Sequence, residues 1–323
     1  MMPQKVQGLL VLAALLLFST APIETKVVNS MAECAEFFLQ RTPPRIPGIL
    51  EEGRILDQNR YKPICQTYNN FRTFVTLYDI RNKIPVFSAA KYKGQGGGRP
   101  RNPAWNFEPQ LENNMKPAEK SFSYENQAGT KDYKQQNPIF DRGHLLPSSY
   151  GLTEEEINST FTLTNIVPQQ ATFNQGSWNK MESCVKCVLD KYCIDNNDNK
   201  EAFVVIGAQP SDGRLLNNKI NIPSMLWSAF CCYSSSQNRW LASAHWGENV
   251  PEEKNSKKYL QTKTLAELFS KLGGQFNVFP ETHCPLETTV SEFYPNLENE
   301  CKCPPPDLST TAPPTTASTE VTM

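Results

Sequence analysis

Three side chains in this sequence have the types and spacing to hydrolyse a charged ester: His144, Asn174 and Glu182. His144 ends the tetrapeptide Asp141-Arg142-Gly143-His144 and is one of three histidines, with His245 and His283. A neutral imidazole suits a general base, because its ordinary pKa lies near 6.5. A hard divalent cation takes oxygen ligands, and magnesium accepts few from protein. One Asn carbonyl as direct ligand and one water-holding carboxylate are enough, which assigns those roles to Asn174 and Glu182. Asp141 and Arg142 flank the base, and Gly143 permits close backbone approach. Alone, Asp-Arg-Gly-His reads as a turn with a local ion pair. The added Asn and Glu raise the hydrolytic reading above it. His245 and His283 lack acidic or Cys/His company and read as structural.

The missing part of such a site is a cation for the phosphate. Between Ala89 and Trp105 the basic residues are Lys91, Lys93, Arg99 and Arg101, with no acid among them. An arginine fork suits phosphate oxygens, so Arg101 or Arg99 is the expected clamp. A solvated basic loop is the plainer reading of such a run. It loses ground because the run leads into the Asp141–His144 tetrapeptide.

The elements that must hold these residues are legible in part. Residues 22–64 read as irregular, with Pro43, Pro44, Pro47 and Pro63 expected to break any long element. A hairpin follows, with strands over 74–78 and 84–92 about a turn at 79–83. Residues 93–139 form a long Gly/Pro/Asn/Gln-rich connection, a length often functional. Residues 162–168 are β-prone. Apolar steps of three and four predict a helix over 173–192, with Asn174 near its N-cap. Asn174, Trp178 and Glu182 then fall at i, i+4 and i+8, broadly on one face. Strands are expected over 202–207, 225–233 and 239–246. A last amphipathic helix around Leu265–Leu272 is stopped by Gly273-Gly274.

Composition bounds the class. The chain has 323 residues, 32 basic against 33 acidic, so any nucleic-acid affinity must come from a local patch. Residues 1–21 read as a secretory signal, with Lys5 before an apolar run over 8–18 and cleavage as late as about residue 25. Residues 22–303 then form one domain, and the Pro/Thr-rich stretch 304–323 a disordered tail. No membrane anchor is expected, and the protein reads as secreted and extracellular. Ten cysteines imply up to five disulfides whose pairing the sequence leaves open. Cys184-x-x-Cys187 could be half a zinc site or a redox pair, but no matching second half follows and the expected compartment is oxidising. Asn158-Ser159-Thr160 is a glycosylation sequon at Asn158.

Together, Asp141-Arg142-Gly143-His144, Asn165-Ile166-Val167-Pro168-Gln169, Asn174-Gln175-Gly176-Ser177-Trp178 and Glu182 resemble the signature of the DNA/RNA non-specific endonuclease family. The His-to-Asn spacing of 30 residues (174 − 144) fits it too. The resemblance extends over most of the mature chain. It implies an α+β, ββα-metal nuclease fold, disulfide-stabilised here, with a central, mostly antiparallel sheet flanked by helices. It implies cleavage of DNA and RNA to 5′-phosphate products with one Mg²⁺ (or Mn²⁺) per site. His144 would be the base, Asn174 the metal ligand, Glu182 the water-holding carboxylate, and Arg101 the transition-state arginine with Arg99 as alternative. Arg142 would touch substrate or hold the finger. Arg99 and Gln169 join the substrate-contacting set, Gln169 also being placed, like Asn165, to brace it. Protein partners are not implied. The alternative is a catalytically weak extracellular binding or defence protein on the same fold.

Overall fold

The computed structural model describes residues 26–112, 124–133, 139–253 and 258–304. The expected signal segment and all but the first residue of the expected tail lie outside these. A seven-stranded sheet forms the centre. Its strands are β1 (Lys26–Val27), β4 (Tyr61–Tyr68), β5 (Phe71–Asp79), β6 (Ile84–Tyr92), β9 (Ala202–Gln209), β12 (Met225–Ser234) and β13 (Arg239–Glu248). They are hydrogen-bonded in the order β1-β4-β5-β6-β9-β12-β13, every pair antiparallel. Three short ladders stand apart: β2 with β3 (Leu50–Glu51, Arg54–Ile55), β7 with β8 (Phe140–His144, Ile166–Gln170), and β10 with β11 (Leu215–Leu216, Ile220–Asn221).

The sheet is buried on both faces, so its strands read as continuous apolar runs rather than alternating ones. In β9, Val204, Ile206 and Ala208 face one core and Phe203 and Val205 the other. The first core also takes Ile166 and Val167 of β8 and the inner side of helix α2 (Asn179–Tyr192), through Met181, Val185, Val188 and Leu189. Hairpin β7–β8 and helix α2 thus form a ββα unit laid on one face of the sheet. Between its strands runs α1 (Glu154–Ser159), started by a capping box of Thr153 and Glu156. Helix α3 (Leu265–Lys271) starts in the same way at Thr264 and Glu267. The short helix α4 (Leu297–Cys301) lies near the end of the described chain.

Three expectations need correction. Residues 22–64 are not irregular throughout, because β4 runs through Pro63. Only the two-residue β1 lies outside it, and the Pro63 carbonyl accepts from Val28, so the missing proline N–H disrupts nothing. The helix expected over 173–192 is broken. A single turn (Ala171–Phe173) leads into a wide π-type turn (Asn174–Trp178) before α2 begins. Gly176 sits in that turn at φ −98°, ψ −116°, outside helical geometry. Asn174 is therefore no N-cap. It lies inside the wide turn, and regular 3.6-residue spacing no longer fixes its direction relative to Glu182. Finally, Leu265–Lys271 is not the last helix, since α4 follows it.

All ten cysteines pair: Cys34–Cys65, Cys184–Cys303, Cys187–Cys301, Cys193–Cys232 and Cys231–Cys284. Cys184 and Cys187 are thus disulfide partners of the C-terminal segment, not zinc ligands. Among the described residues no helix is long and apolar enough to cross a membrane.

Candidate active site

The ββα unit opens onto a cleft of about 1140 Å³ that draws on the long connection, β7, the wide turn and α2. His144, Asp141, Arg142, Asn174, Glu182, Arg99 and Arg101 all line it. Strand β7 alternates its side chains, so Arg142 and His144 point one way and Asp141 and Gly143 the other. The second direction is toward the wide turn. There Asp141 Oδ2 accepts from Asn174 Nδ2 and from Gln175 Nε2, both at 2.9 Å.

Gln169 does not belong to the cleft. It is fully buried, opposite Asp141 in the hairpin, and fills the space over Gly143. A Cβ at Gly143 would lie 2.2 Å from Gln169 Oε1, so this glycine is a packing requirement. The expected substrate contact is replaced by a brace. Asn165, also buried, is a second brace: its Oδ1 accepts from Ser88 Oγ and Leu146 N, and its Nδ2 donates to the carbonyls of Leu146 and Thr160. This ties the central sheet to the chain just after His144. Asn158 lies away from the cleft, part-exposed on α1.

His144 is partly open to the cleft. Among the described residues its Nε2 is buried without a partner. The ring meets Phe161 edge-on at 4.9 Å and Trp105 at 5.2 Å between centroids. Burial, then the charges of Arg99 and Arg142, lower its pKa to about 3. The imidazole is therefore neutral across the physiological range, with its lone pair available. Glu182 moves the opposite way. Burial raises its carboxyl to about 8, against a hydrogen bond from Trp178 and the charge of Arg99. Trp178 Nε1 donates to Glu182 Oε1 at 2.9 Å, and Tyr150 donates its hydroxyl proton to the Glu182 backbone carbonyl.

The basic loop divides. Lys91 pairs with Glu201, and Lys93 with Glu156 at 2.6 Å, so both are committed elsewhere. Arg99 and Arg142 have no carboxylate within salt-bridge distance among the described residues. They rest on rings instead: Arg99 Cζ lies 5.4 Å from the Phe161 centroid, and Arg142 Cζ 4.5 Å from that of Trp105. Such stacking holds a guanidinium while leaving its N–H donors free for anionic oxygens. Arg99 is the loop arginine whose charge bears on both His144 and Glu182. Arg101 lines the same cleft and is exposed.

The oxygens present fit a hard cation. Asn174 is anchored through its Nδ2, and among the described residues nothing donates to its Oδ1. The Glu182 carboxyl is held above its ordinary range by burial, a penalty that a neighbouring cation offsets. Among the described residues no three His, Cys, Asp or Glu side chains converge as a metal cluster. The oxygens of Asn174 and Glu182 could hold a cation that keeps most of its waters.

Sequence reasoning passed over several residues that line the cleft or stand behind it. Trp178 was visible one turn before Glu182 and in the family signature, but its hydrogen bond to the Glu182 carboxyl was not. Trp105 and Phe161 carry no sequence signal for holding arginines. Lys186, one turn beyond Glu182, also lines the cleft and is bound to Asp190 at 2.9 Å.

A β-hairpin that carries His144, followed by a helix that carries Glu182, is the arrangement of the ββα-metal nuclease fold. The chain belongs to the DNA/RNA non-specific endonuclease family, whose model matches residues 55–268. It is 30% identical over 213 residues to the human Endonuclease domain-containing 1 protein, covering 62% of this chain and 39% of that one. To the mouse protein of the same name it is 30% identical over 236 residues, covering 70% and 43%. A nuclease of Nostoc sp. is 32% identical over 90 residues, covering 27% and 30%. The matched region thus spans about two fifths of the two mammalian relatives. The crystal structure of the EndoG/EndoGI complex is similar at a TM-score of 0.48 and 17% identity, covering 68% of this chain and 88% of that one.

Proposed function

We propose that this chain is a secreted, Mg²⁺-dependent endonuclease that hydrolyses phosphodiester bonds of DNA and RNA with little base preference, leaving 5′-phosphates. The observation that carries the reading is the meeting, in one cleft, of a neutral His144 and the Asp141-anchored Asn174, with Glu182 and two ring-seated arginines around them. His144 takes the proton of the attacking water. Its low pKa rises once a polyanion offsets the charges of Arg99 and Arg142. Those guanidiniums receive the charge that grows on the phosphate oxygens. Asn174 Oδ1 and the Glu182 carboxylate would hold a divalent ion, Mg²⁺ or Mn²⁺. When bound, it supplies Lewis-acid stabilisation of the phosphate and leaving oxygens. Secretion is supported by the signal-like residues 1–21 and by five disulfides, which persist in oxidising compartments.

The test is cleavage of plasmid DNA and of RNA by the oxidised chain, with Mg²⁺ or with EDTA, beside His144→Ala. The expected result is Mg²⁺-dependent nicking that His144→Ala nearly abolishes. Wild type and variant equally inert across several divalent ions, with disulfides intact, would overturn the enzyme reading in favour of a binding protein on a nuclease fold.

A further inference from the structure

The chain beyond β13 makes a strap across the ββα unit, and a buried carboxylate within it has no part in the chemistry above. Asn249 is fully buried. Its Oδ1 accepts from Gln170 N at 2.7 Å, and its Nδ2 donates to the carbonyls of Pro168 and Pro223. Three residues on, the Glu252 N–H donates to Thr172 Oγ1 at 2.8 Å. The Glu252 side chain is only 2% exposed, with Lys258 Nζ 3.2 Å from its Oε1. It reaches into the wide turn, where Oε2 accepts from Ser177 N at 3.0 Å and Oε1 from Ser177 Oγ at 2.7 Å. A Cβ at Gly176 would lie 2.6 Å from Oε2, so the glycine makes room for the carboxylate.

A wide turn departs from the regular helical hydrogen-bond ladder and needs partners from outside it. Glu252 satisfies the Ser177 amide at the centre of the turn. Asn174 lies at the start of that turn and Trp178, the donor to Glu182, at its end. We infer that Glu252 is a positioning residue: acting through Ser177, it fixes the wide turn that aims both Asn174 and Trp178, and thereby sets the affinity of the cleft for its divalent cation. The inference rests on the cation-dependent reaction proposed above.

Residues that orient metal ligands typically change metal affinity by about 10–100-fold when removed. The experiment is a titration of the oxidised full chain with Mn²⁺, followed by electron paramagnetic resonance. Melting temperature and KM for DNA are measured on the same samples. Glu252→Gln keeps the shape and replaces an acceptor by a donor facing Ser177. It is expected to weaken Mn²⁺ binding by about 10–100-fold while leaving KM for DNA unchanged, and Glu252→Asp should recover part of the loss. A folded Glu252→Gln that binds Mn²⁺ as tightly as wild type overturns the inference, because a purely structural role would lower only the melting temperature. If Glu252→Gln does not fold, Ser177→Ala, which removes one of the two bonds, is read instead. A smaller weakening in the same direction supports the inference, and unchanged affinity overturns it. Wild-type protein that neither binds Mn²⁺ nor cleaves DNA overturns the proposed function along with it. Normal binding in both wild type and Glu252→Gln overturns the positioning role alone.

Discussion

Asp141 and Asn174 are joined by a hydrogen bond of 2.9 Å from the Asn174 amide nitrogen to Asp141 Oδ2. This bond makes Asn174 directional. Its nitrogen is committed to the strand, so its oxygen is the end presented to the cleft. Asp141 lies three residues before His144 on the same strand, and one short ladder therefore sets both His144 and Asn174.

Replacing Asp141 by Ala should release the Asn174 amide to rotate. The loss of such an orienting partner is expected to raise the Mg²⁺ concentration for half-maximal cleavage by about 10–100-fold. A Mg²⁺ titration of cleavage rate checks this, and an unchanged half-saturation point would show that Asn174 is aimed by other contacts.

The two loop arginines should separate kinetically. Arg99→Ala removes a charge that bears on both His144 and Glu182, and should lower kcat by about 10²–10³-fold, the scale of a lost transition-state donor. Arg101→Ala, on the exposed cleft lining, should mainly raise KM and flatten the logarithmic salt dependence of binding by about one unit. Steady-state kinetics on a defined duplex at two salt concentrations distinguishes them. Equal kcat losses would contradict the ranking.

Acid should destabilise the fold through His245. This residue is 2% exposed on β13, and burial lowers its pKa to about 4. The unfolded chain, with an ordinary imidazole, binds a proton below about pH 6.5, while the folded chain does not until about pH 4. Stability is thus intact above pH 6.5 and is lost as pH falls from there toward 4, by about 3 kcal/mol at the limit. His144 contributes the same sign and Glu182, with its raised pKa, the opposite one, but both remain in His245→Gln. Urea denaturation of the two proteins at pH 7 and pH 4.5 isolates His245, and the variant should show the weaker acid loss.

The paired disulfides of α2 should prove redundant singly. Cys184–Cys303 and Cys187–Cys301 close sequence separations of 119 and 114 residues that are nearly the same loop. With one intact, the other closes only a short residual loop. Loop-entropy scaling gives about 2 kcal/mol for removing either pair with serines and about 7 kcal/mol for removing both. Urea denaturation of the single-pair and double-pair variants measures the difference. Additive losses of equal size would contradict the redundancy.

The sequence determined the family and several of the elements. His144, Asn174 and Glu182 stand at spacings that local reading could recognise. The β5–β6 hairpin, β9, β12 and β13 followed from runs of sheet-forming residues. Local patterns carry such information because side-chain periodicity is a property of the element itself. Tertiary structure decided what that periodicity cannot express. Pro63 sits in a strand because only a two-residue strand lies outside it. The helix after residue 170 opens at Asn174–Trp178 around a carboxylate 75 residues later in the chain. Gln169 went to the interior because Gly143 left it space. Arg99 rests on the ring of Phe161, far along the chain. Each of these outcomes depends on a contact between residues distant in sequence, and no spacing within a segment encodes where its distant partner will be.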